Sequence, residues 1–199
     1  ISVRDNVSAQ VVHNSIGNMP TIVADPTLLS DLEDLAIEVP NLPDHYILLY
    51  ILGKEIKGGH QKMIEVIREH YGNIPVVALI ASAHKPQNFR WANYTIWDAG
   101  PAEWLFLVSN STFVYTDSFH CSLFSIKARK PFLAYYAEEK RAPRLIDLKE
   151  RYQMVKSVAS SMDNARDIQF WTQEYNSNIE RCINQHIELS LAFLKKALE

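Results

Sequence analysis

The sequence has 199 residues, of which 47% are hydrophobic, and this is enough for one substantial core but too short for two domains of ordinary size. A formal net charge of −3 excludes the global basic field of a nucleic-acid-binding protein. The longest apolar runs, residues 46–53 and 75–83, are far shorter than the roughly 20 residues that span a bilayer, so the sequence predicts no transmembrane segment.

The first elements of the chain are short. Ile1 to Arg4 predicts a strand, after which Asp5 caps a helix, and Thr21 to Ala24 predicts a second strand. Arg4 then lies at a strand tip, where a guanidinium binds a carboxylate or phosphate group through two parallel hydrogen bonds. The alternative is a structural pair between Arg4 and a neighbouring carboxylate such as Asp5 or Asp25.

Two continuous apolar runs follow, His45 to Leu52 and Pro75 to Ser82. Runs without alternation are typical of strands buried on both faces, so they predict a parallel sheet covered by helices. A helix is expected between them from about His60 to Tyr71. After a possible short strand near Tyr94 to Trp97, Gly100 and Pro101 start a helix with Glu103 in its first turn, where the carboxylate either caps or contacts a sugar hydroxyl.

The segment from Thr112 to Tyr136 reads as strand, helix, strand, with the helix at about Phe119 to Ala128. Asp117 and Ser118 both favour the N-cap of this helix, and His120 follows in its first turn. A helix N-terminus that follows the carboxyl end of a parallel strand is suited to bind an anion. We therefore expect the chemistry to centre on His120, with Asp117 either orienting it or capping.

The C-terminal part is mostly helical. Arg144 to Met154 predicts one helix, and residues 171–199 predict a long helix whose apolar stripe packs across the domain. Together the elements predict a single α/β domain with a doubly wound, mainly parallel, Rossmann-like sheet and helices on both faces. The strands that begin at Ile1, His45, Pro75 and Thr112 are expected to be neighbours in that sheet.

Few motifs for cofactors or metals occur. Cys121 and Cys182 lack metal-ligand spacing and are typical of reduced thiols in a cytoplasmic protein, and no signal peptide pattern opens the sequence. Cys121 either packs in the core or, at a helix start, is a reactive thiol. The chain has no Gly-x-Gly-x-x-Gly and no Walker loop, which argues against a self-contained dinucleotide or nucleoside triphosphate site.

Three segments carry a resemblance to a known family: ISVRD at the start, ADPTLL at residues 24–29, and the run from DAGPAEW to FLAYY at residues 98–136. In this order they resemble the polysaccharide pyruvyl transferase family, over roughly the C-terminal half of its usual length. The resemblance implies the C-terminal lobe of a two-domain protein of the GT-B glycosyltransferase type. It also implies a missing N-terminal half with its own sheet, so the chain alone is expected to be inactive.

The resemblance further implies transfer of a pyruvyl group from phosphoenolpyruvate to sugar hydroxyls of a surface or capsular glycan or a lipid-linked sugar, without a metal or cofactor. Residue by residue, His120 is the implied proton donor and Arg4 an implied substrate ligand. Some members carry an arginine where this chain has Ser118, so Ser118 is expected to contact the phosphate while Lys85, Arg90 or the missing half supplies charge. Asp117 and Glu103 complete the expected substrate site.

Two alternatives come from other classes of protein. The chain could be a catalytically silent lobe of this fold that serves in binding or assembly. It could also be a glycosyltransferase of similar fold that uses a nucleotide sugar. Protection by phosphoenolpyruvate, by a nucleotide sugar or by neither compound distinguishes the three.

Overall fold

The computed structural model describes residues 1–81 and 84–199, apart from the side chains of Glu33 and Pro86. The strands are β1 (Ser2–Val3), β2 (Thr21–Ile22), β3 (Ile47–Ile51), β4 (Val76–Ile80), β5 (Tyr94–Ile96), β6 (Phe113–Thr116), β7 (Phe132–Tyr135) and β8 (Val158–Ala159). The helices are α1 (Asn6–Ile16), α2 (Pro26–Leu29), α3 (His60–Tyr71), α4 (Pro101–Asn110), α5 (Phe119–Lys127), α6 (Ala142–Arg151), α7 (Met162–Asp167) and α8 (Ser177–Leu198). The strand predicted to end at Ser82 has its last residue outside the described range.

The main sheet is parallel throughout and has the strand order β5-β4-β3-β6-β7-β8. Leu48 and Val114 pack on one face with residues of α4, α5, α6 and α8, whereas Leu49 and Tyr115 pack on the other with residues of α3 and α7. Burial on both faces explains why the strand sequences are continuously apolar. The predicted doubly wound, Rossmann-like α/β fold is therefore confirmed.

The predicted place of the first strand in this sheet is wrong. β1 pairs only with β2, in a separate two-stranded parallel sheet where Ser2 lies opposite Thr21. Both strands are two residues long and partly exposed, so they lack the apolar run that a position inside the main sheet requires. The strand next to β7 at the edge of the sheet is β8, which is too short to have a sequence signal of its own.

The C-terminal helix begins later than predicted. The side chain of Asn176 accepts hydrogen bonds from the N–H groups of Asn178 and Ile179 and thereby caps α8, while residues 170–172 form a separate 3-10 turn. Ser190 joins α8 to the chain after β2, since its Oγ accepts from the N–H of Ala24 at 2.7 Å. Within the described ranges no helix combines the length and the apolarity needed to cross a membrane.

Two buried histidines should make the fold sensitive to acid. His60 Nδ1 lies 3.1 Å from the Tyr115 hydroxyl, and His186 Nδ1 lies 2.8 Å from the Tyr152 hydroxyl. Burial lowers the pKa of each imidazole from its ordinary value of 6.5 to about 4. Between these values the unfolded chain binds more protons than the folded chain, so stability is full above about pH 6.5 and falls as the pH drops toward 4.

Each lowered pKa corresponds to about 3 kcal/mol between the two protonation states. Free energies of unfolding, measured with urea at neutral pH and within this window, should therefore decrease with acidity. The decrease should be shallower in His186→Gln, because glutamine keeps a partner for Tyr152 but does not titrate, and His60→Gln should act in the same direction. An unchanged slope in both variants would contradict this assignment.

Candidate functional site

The strand order places a ligand crevice between β3 and β6. The chain leaves β3 toward β4 and β5 on one side and returns to β6 on the other side. At such a reversal the connections diverge, and a crevice opens at the carboxyl ends of the two strands. Leu52 and Gly53 follow β3 there, and Asp117 and Ser118 follow β6.

Asp117 is buried at this crevice, and both of its carboxylate oxygens accept hydrogen bonds. Its side chain is only 2% exposed; Oδ1 accepts from the N–H of Leu52 at 2.6 Å, and Oδ2 accepts from Nη1 of Arg141 at 2.8 Å. Burial raises the pKa of Asp117, although the Leu52 N–H and the Arg141 guanidinium favour the ionised form. Both oxygens thus have partners other than His120, and Asp117 joins the ends of β3 and β6 to Arg141.

Ser118 is the N-cap of α5. Its Oγ accepts from the N–H of Cys121 at 3.3 Å, as the Asp-Ser junction predicts. Cys121 is fully buried, and burial raises the pKa of its thiol to about 12. Packing is therefore the role of Cys121, and the alternative of a reactive thiol is contradicted because the thiolate is disfavoured.

Arg4 and His120 both contact the buried carboxylate of Asp25. His120 Nε2 lies 3.5 Å from Asp25 Oδ2, and Nη1 of Arg4 donates to the same oxygen. The His120 side chain is 50% exposed, whereas that of Asp25 is 3% exposed. The structure thus brings the two predicted site residues together with Asp25 between them, and Arg4 forms the structural pair that the sequence left as an alternative.

Asp25 is a residue of this candidate site that the sequence analysis named only as a structural partner of Arg4. Burial alone would raise its pKa, but hydrogen bonds from the N–H and hydroxyl of Thr27, together with Arg4, outweigh burial and lower it. The carboxylate therefore stays ionised beside His120 at neutral pH. A signal was present, because Asp25 and Pro26 lie just after β2, separated from it by Val23 and Ala24, but nothing in the sequence placed this segment beside α5.

Two cavities adjoin His120. The first, termed the basic cavity, has a volume of about 460 Å³ and is lined by Leu52, Asp117, Ser118, Phe119, His120, Lys140, Arg141, Arg144 and Leu145. The second, termed the apolar cavity, has a volume of about 590 Å³, and its aromatic and aliphatic lining includes Tyr50, Pro101, Trp104, Leu105 and Phe124. Three residues line both cavities: Leu52, Ser118 and His120. His120 is therefore part of the wall that separates the two cavities.

The remaining predicted residues, Glu103, Lys85 and Arg90, are not among the residues that line the two cavities. Glu103 is in the first turn of α4, and its carboxylate folds over Gly100, where an added Cβ would lie 2.9 Å from Oε2. Lys85 and Arg90 lie between β4 and β5. The substrate-binding roles of Glu103, Arg4, Asp117 and Ser118 remain predictions.

The cations of the basic cavity come from the segment after β7, at Lys140, Arg141 and Arg144. The sequence does signal them, as the charged run EEKRAPR that follows a buried strand. Their place beside His120 depends on β7 being the neighbour of β6, which the sequence alone does not reveal.

Comparison with known proteins supports the fold. The chain is similar to the UDP-GlcNAc 2-epimerase of Methanocaldococcus jannaschii in complex with UDP-GlcNAc and UDP, with a TM-score of 0.59 and 14% identity over 98% of this chain and 60% of the epimerase. It is also similar to UDP-GlcNAc 2-epimerase from Neisseria meningitidis bound to UDP-GlcNAc, with a TM-score of 0.56 and 14% identity over 94% of this chain and 60% of the epimerase. At this identity the likeness concerns the fold alone, and the chain spans 60% of the length of either protein. No curated protein matched the sequence.

The family comparison covers the candidate site. The model of the polysaccharide pyruvyl transferase family matches residues 1–138. This range runs from β1 through β7 and contains Arg4, Asp25 and His120 as well as both strands of the crevice. The chain belongs to the polysaccharide pyruvyl transferase family.

Proposed function

We propose that the chain is the donor-binding lobe of a transferase that moves a pyruvyl group from phosphoenolpyruvate to two hydroxyls of a surface or capsular glycan, forming a cyclic ketal. The observation that carries the proposal is the place of His120, on the wall shared by the basic and the apolar cavity. A half-exposed imidazole there is within reach of ligands from both sides. A cytoplasmic location and chemistry without a metal remain predictions from the sequence.

The reaction needs one proton donor and a site for anions. A proton adds to the methylene carbon of phosphoenolpyruvate, two sugar hydroxyls form bonds to the carbon that bears the phosphate, and the bond between that carbon and the phosphate oxygen breaks. Of the two protons that the hydroxyls lose, one replaces the proton given to the methyl group and the other leaves with inorganic phosphate. His120 is the proposed donor of the first proton, because histidine acts as a general acid near neutral pH. The carboxylate of Asp25, 3.5 Å from Nε2, lies within ion-pair distance of the imidazole and orients it.

The two cavities suit the two substrates. Phosphoenolpyruvate carries a phosphate and a carboxylate, and the lining of the basic cavity includes the cations Lys140, Arg141 and Arg144. A sugar ring has apolar faces, and Tyr50 and Trp104 present aromatic surface in the apolar cavity. Donor and acceptor would then meet at His120.

Ligand protection of the chain itself tests this proposal. Phosphoenolpyruvate should raise the unfolding temperature, because a ligand at a hundredfold excess over its Kd stabilises the folded state by about 2.7 kcal/mol. Pyruvate is the matched control, since it lacks the phosphate, and should protect less. Protection by a UDP-sugar and not by phosphoenolpyruvate would support a glycosyltransferase instead, and protection by neither would support a silent lobe.

A further inference from the structure

We propose that Arg141 is the phosphate-binding residue of the basic cavity, held in place by Asp117 and by the absence of a side chain at Gly53. The inference deepens the proposed function, since it names the group that would hold the donor's phosphate. It rests on the contacts of Arg141 and on the lining of the cavity. These features do not depend on whether the ligand is phosphoenolpyruvate.

The guanidinium of Arg141 is fixed from one side. Nη1 donates to the buried Oδ2 of Asp117 at 2.8 Å, and Asp117 is itself held by the N–H of Leu52. A guanidinium has five N–H donors in a planar fork, so this pair leaves donors for a ligand. The Arg141 side chain is 35% exposed and lines the cavity.

Gly53 makes room for this arrangement. A Cβ at residue 53 would lie 2.9 Å from Cζ of Arg141 and 2.8 Å from Oδ2 of Asp117. Both distances are shorter than ordinary Cβ contacts, so a side chain at residue 53 would displace the Arg141 guanidinium or the Asp117 carboxylate from the end of β3. The fork is therefore preorganised at the crevice, where a bound anion does not have to order a free arginine.

The surroundings favour an anion with the charge of a phosphate. Lys140 and Arg144 line the same cavity, and the side chain of each is more than half exposed. Lys140 pairs with Glu138 at 3.6 Å, and Arg144 lies 4.0 Å from Asp5, so both cations remain at the cavity rim beside a carboxylate. Ser118 and the first turn of α5 form the adjacent wall, and a helix N-terminus adds to the attraction of negative charge. Oxygens of a phosphoryl group would thus meet an arginine fork, a hydroxyl and positive charge together.

The test measures binding of inorganic phosphate, pyrophosphate and phosphoenolpyruvate to the chain by calorimetry. Arg141→Ala should weaken all three by about 10- to 100-fold, the range for loss of charge-assisted hydrogen bonds. Arg141→Lys should weaken them less, because the charge stays and the fork is lost. Arg129→Lys is the matched control, since Arg129 forms an exposed pair with Glu180 at 2.8 Å, and should bind like the unchanged protein.

Gly53→Ala is the decisive variant, because it alters no charge but displaces the guanidinium. We expect it to weaken phosphate binding by about tenfold, the effect of losing one such contact. The proposal would be overturned if Gly53→Ala and Arg141→Lys both bound inorganic phosphate with wild-type affinity. It would also be overturned if these variants bound phosphoenolpyruvate more weakly but inorganic phosphate and pyrophosphate as before. If phosphate binding depends on Arg141 but phosphoenolpyruvate does not raise the unfolding temperature, the role of Arg141 is upheld and phosphoenolpyruvate is refuted as the donor.

Discussion

Replacing His120 by alanine is expected to lower the turnover of pyruvyl transfer by about 10²- to 10⁴-fold, the range for removal of a general acid. The side chain is half-exposed, so the variant should fold with nearly unchanged stability. Binding of phosphoenolpyruvate should persist, because the cations of the basic cavity remain. The measurement is kcat for pyruvyl transfer in the full-length protein.

His45→Ala is the matched control for this experiment. His45 is exposed and precedes β3, so it lies at the amino edge of the sheet, opposite the crevice. Its loss should leave kcat unchanged. Full activity of His120→Ala would exclude His120 as the proton donor, and the two cavities would then need another acid between them.

The change Asp25→Asn should reduce turnover by about 10²-fold, as expected when a reacting group loses its orientation. An amide keeps the size of the carboxylate but provides no charge for the imidazole of His120 or for Arg4. We expect kcat to fall while KM for phosphoenolpyruvate changes little, because Asp25 faces His120 and does not line the basic cavity. A purely structural role would instead reduce the amount of folded protein and leave kcat per folded molecule unchanged.

Asp44→Asn controls for the loss of one negative charge, since Asp44 is exposed and precedes β3. The ¹⁵N chemical shifts of the His120 ring provide a second readout that does not require turnover. They should change in Asp25→Asn and stay constant in Asp44→Asn. Unchanged kcat and unchanged ring shifts in Asp25→Asn would show that the 3.5 Å approach has no functional role.

Local pattern was enough to predict the central part of the fold. The apolar runs that contain β3 and β4 have no polar alternation, which indicates burial on both faces, and the observed core confirms it. The start of α5 was also predictable, because a serine N-cap acts on the three residues that follow it. These features depend on residues that are close in sequence.

Long-range contacts were not predictable in the same way. Strands of two residues, such as β1 and β8, carry too little pattern to show which sheet they join. The contact between Asp25 and His120 requires that the chain after β2 lies over the start of α5, and Ser190 of α8 helps to hold it there. Lys140, Arg141 and Arg144 likewise lie near His120 because β7, which precedes them, is the neighbour of β6 in the sheet.

Release of inorganic phosphate from phosphoenolpyruvate by the full-length protein, measured with and without a glycan acceptor, tests whether the protein transfers pyruvyl groups. Release should require the acceptor, and a ketal methyl signal should appear in the NMR spectrum of the glycan in an equal amount. The variant His120→Ala should lose both. Phosphate release in the absence of acceptor would contradict the proposed pyruvyl transfer. So would an acceptor that gains a sugar from a nucleotide sugar but no ketal from phosphoenolpyruvate.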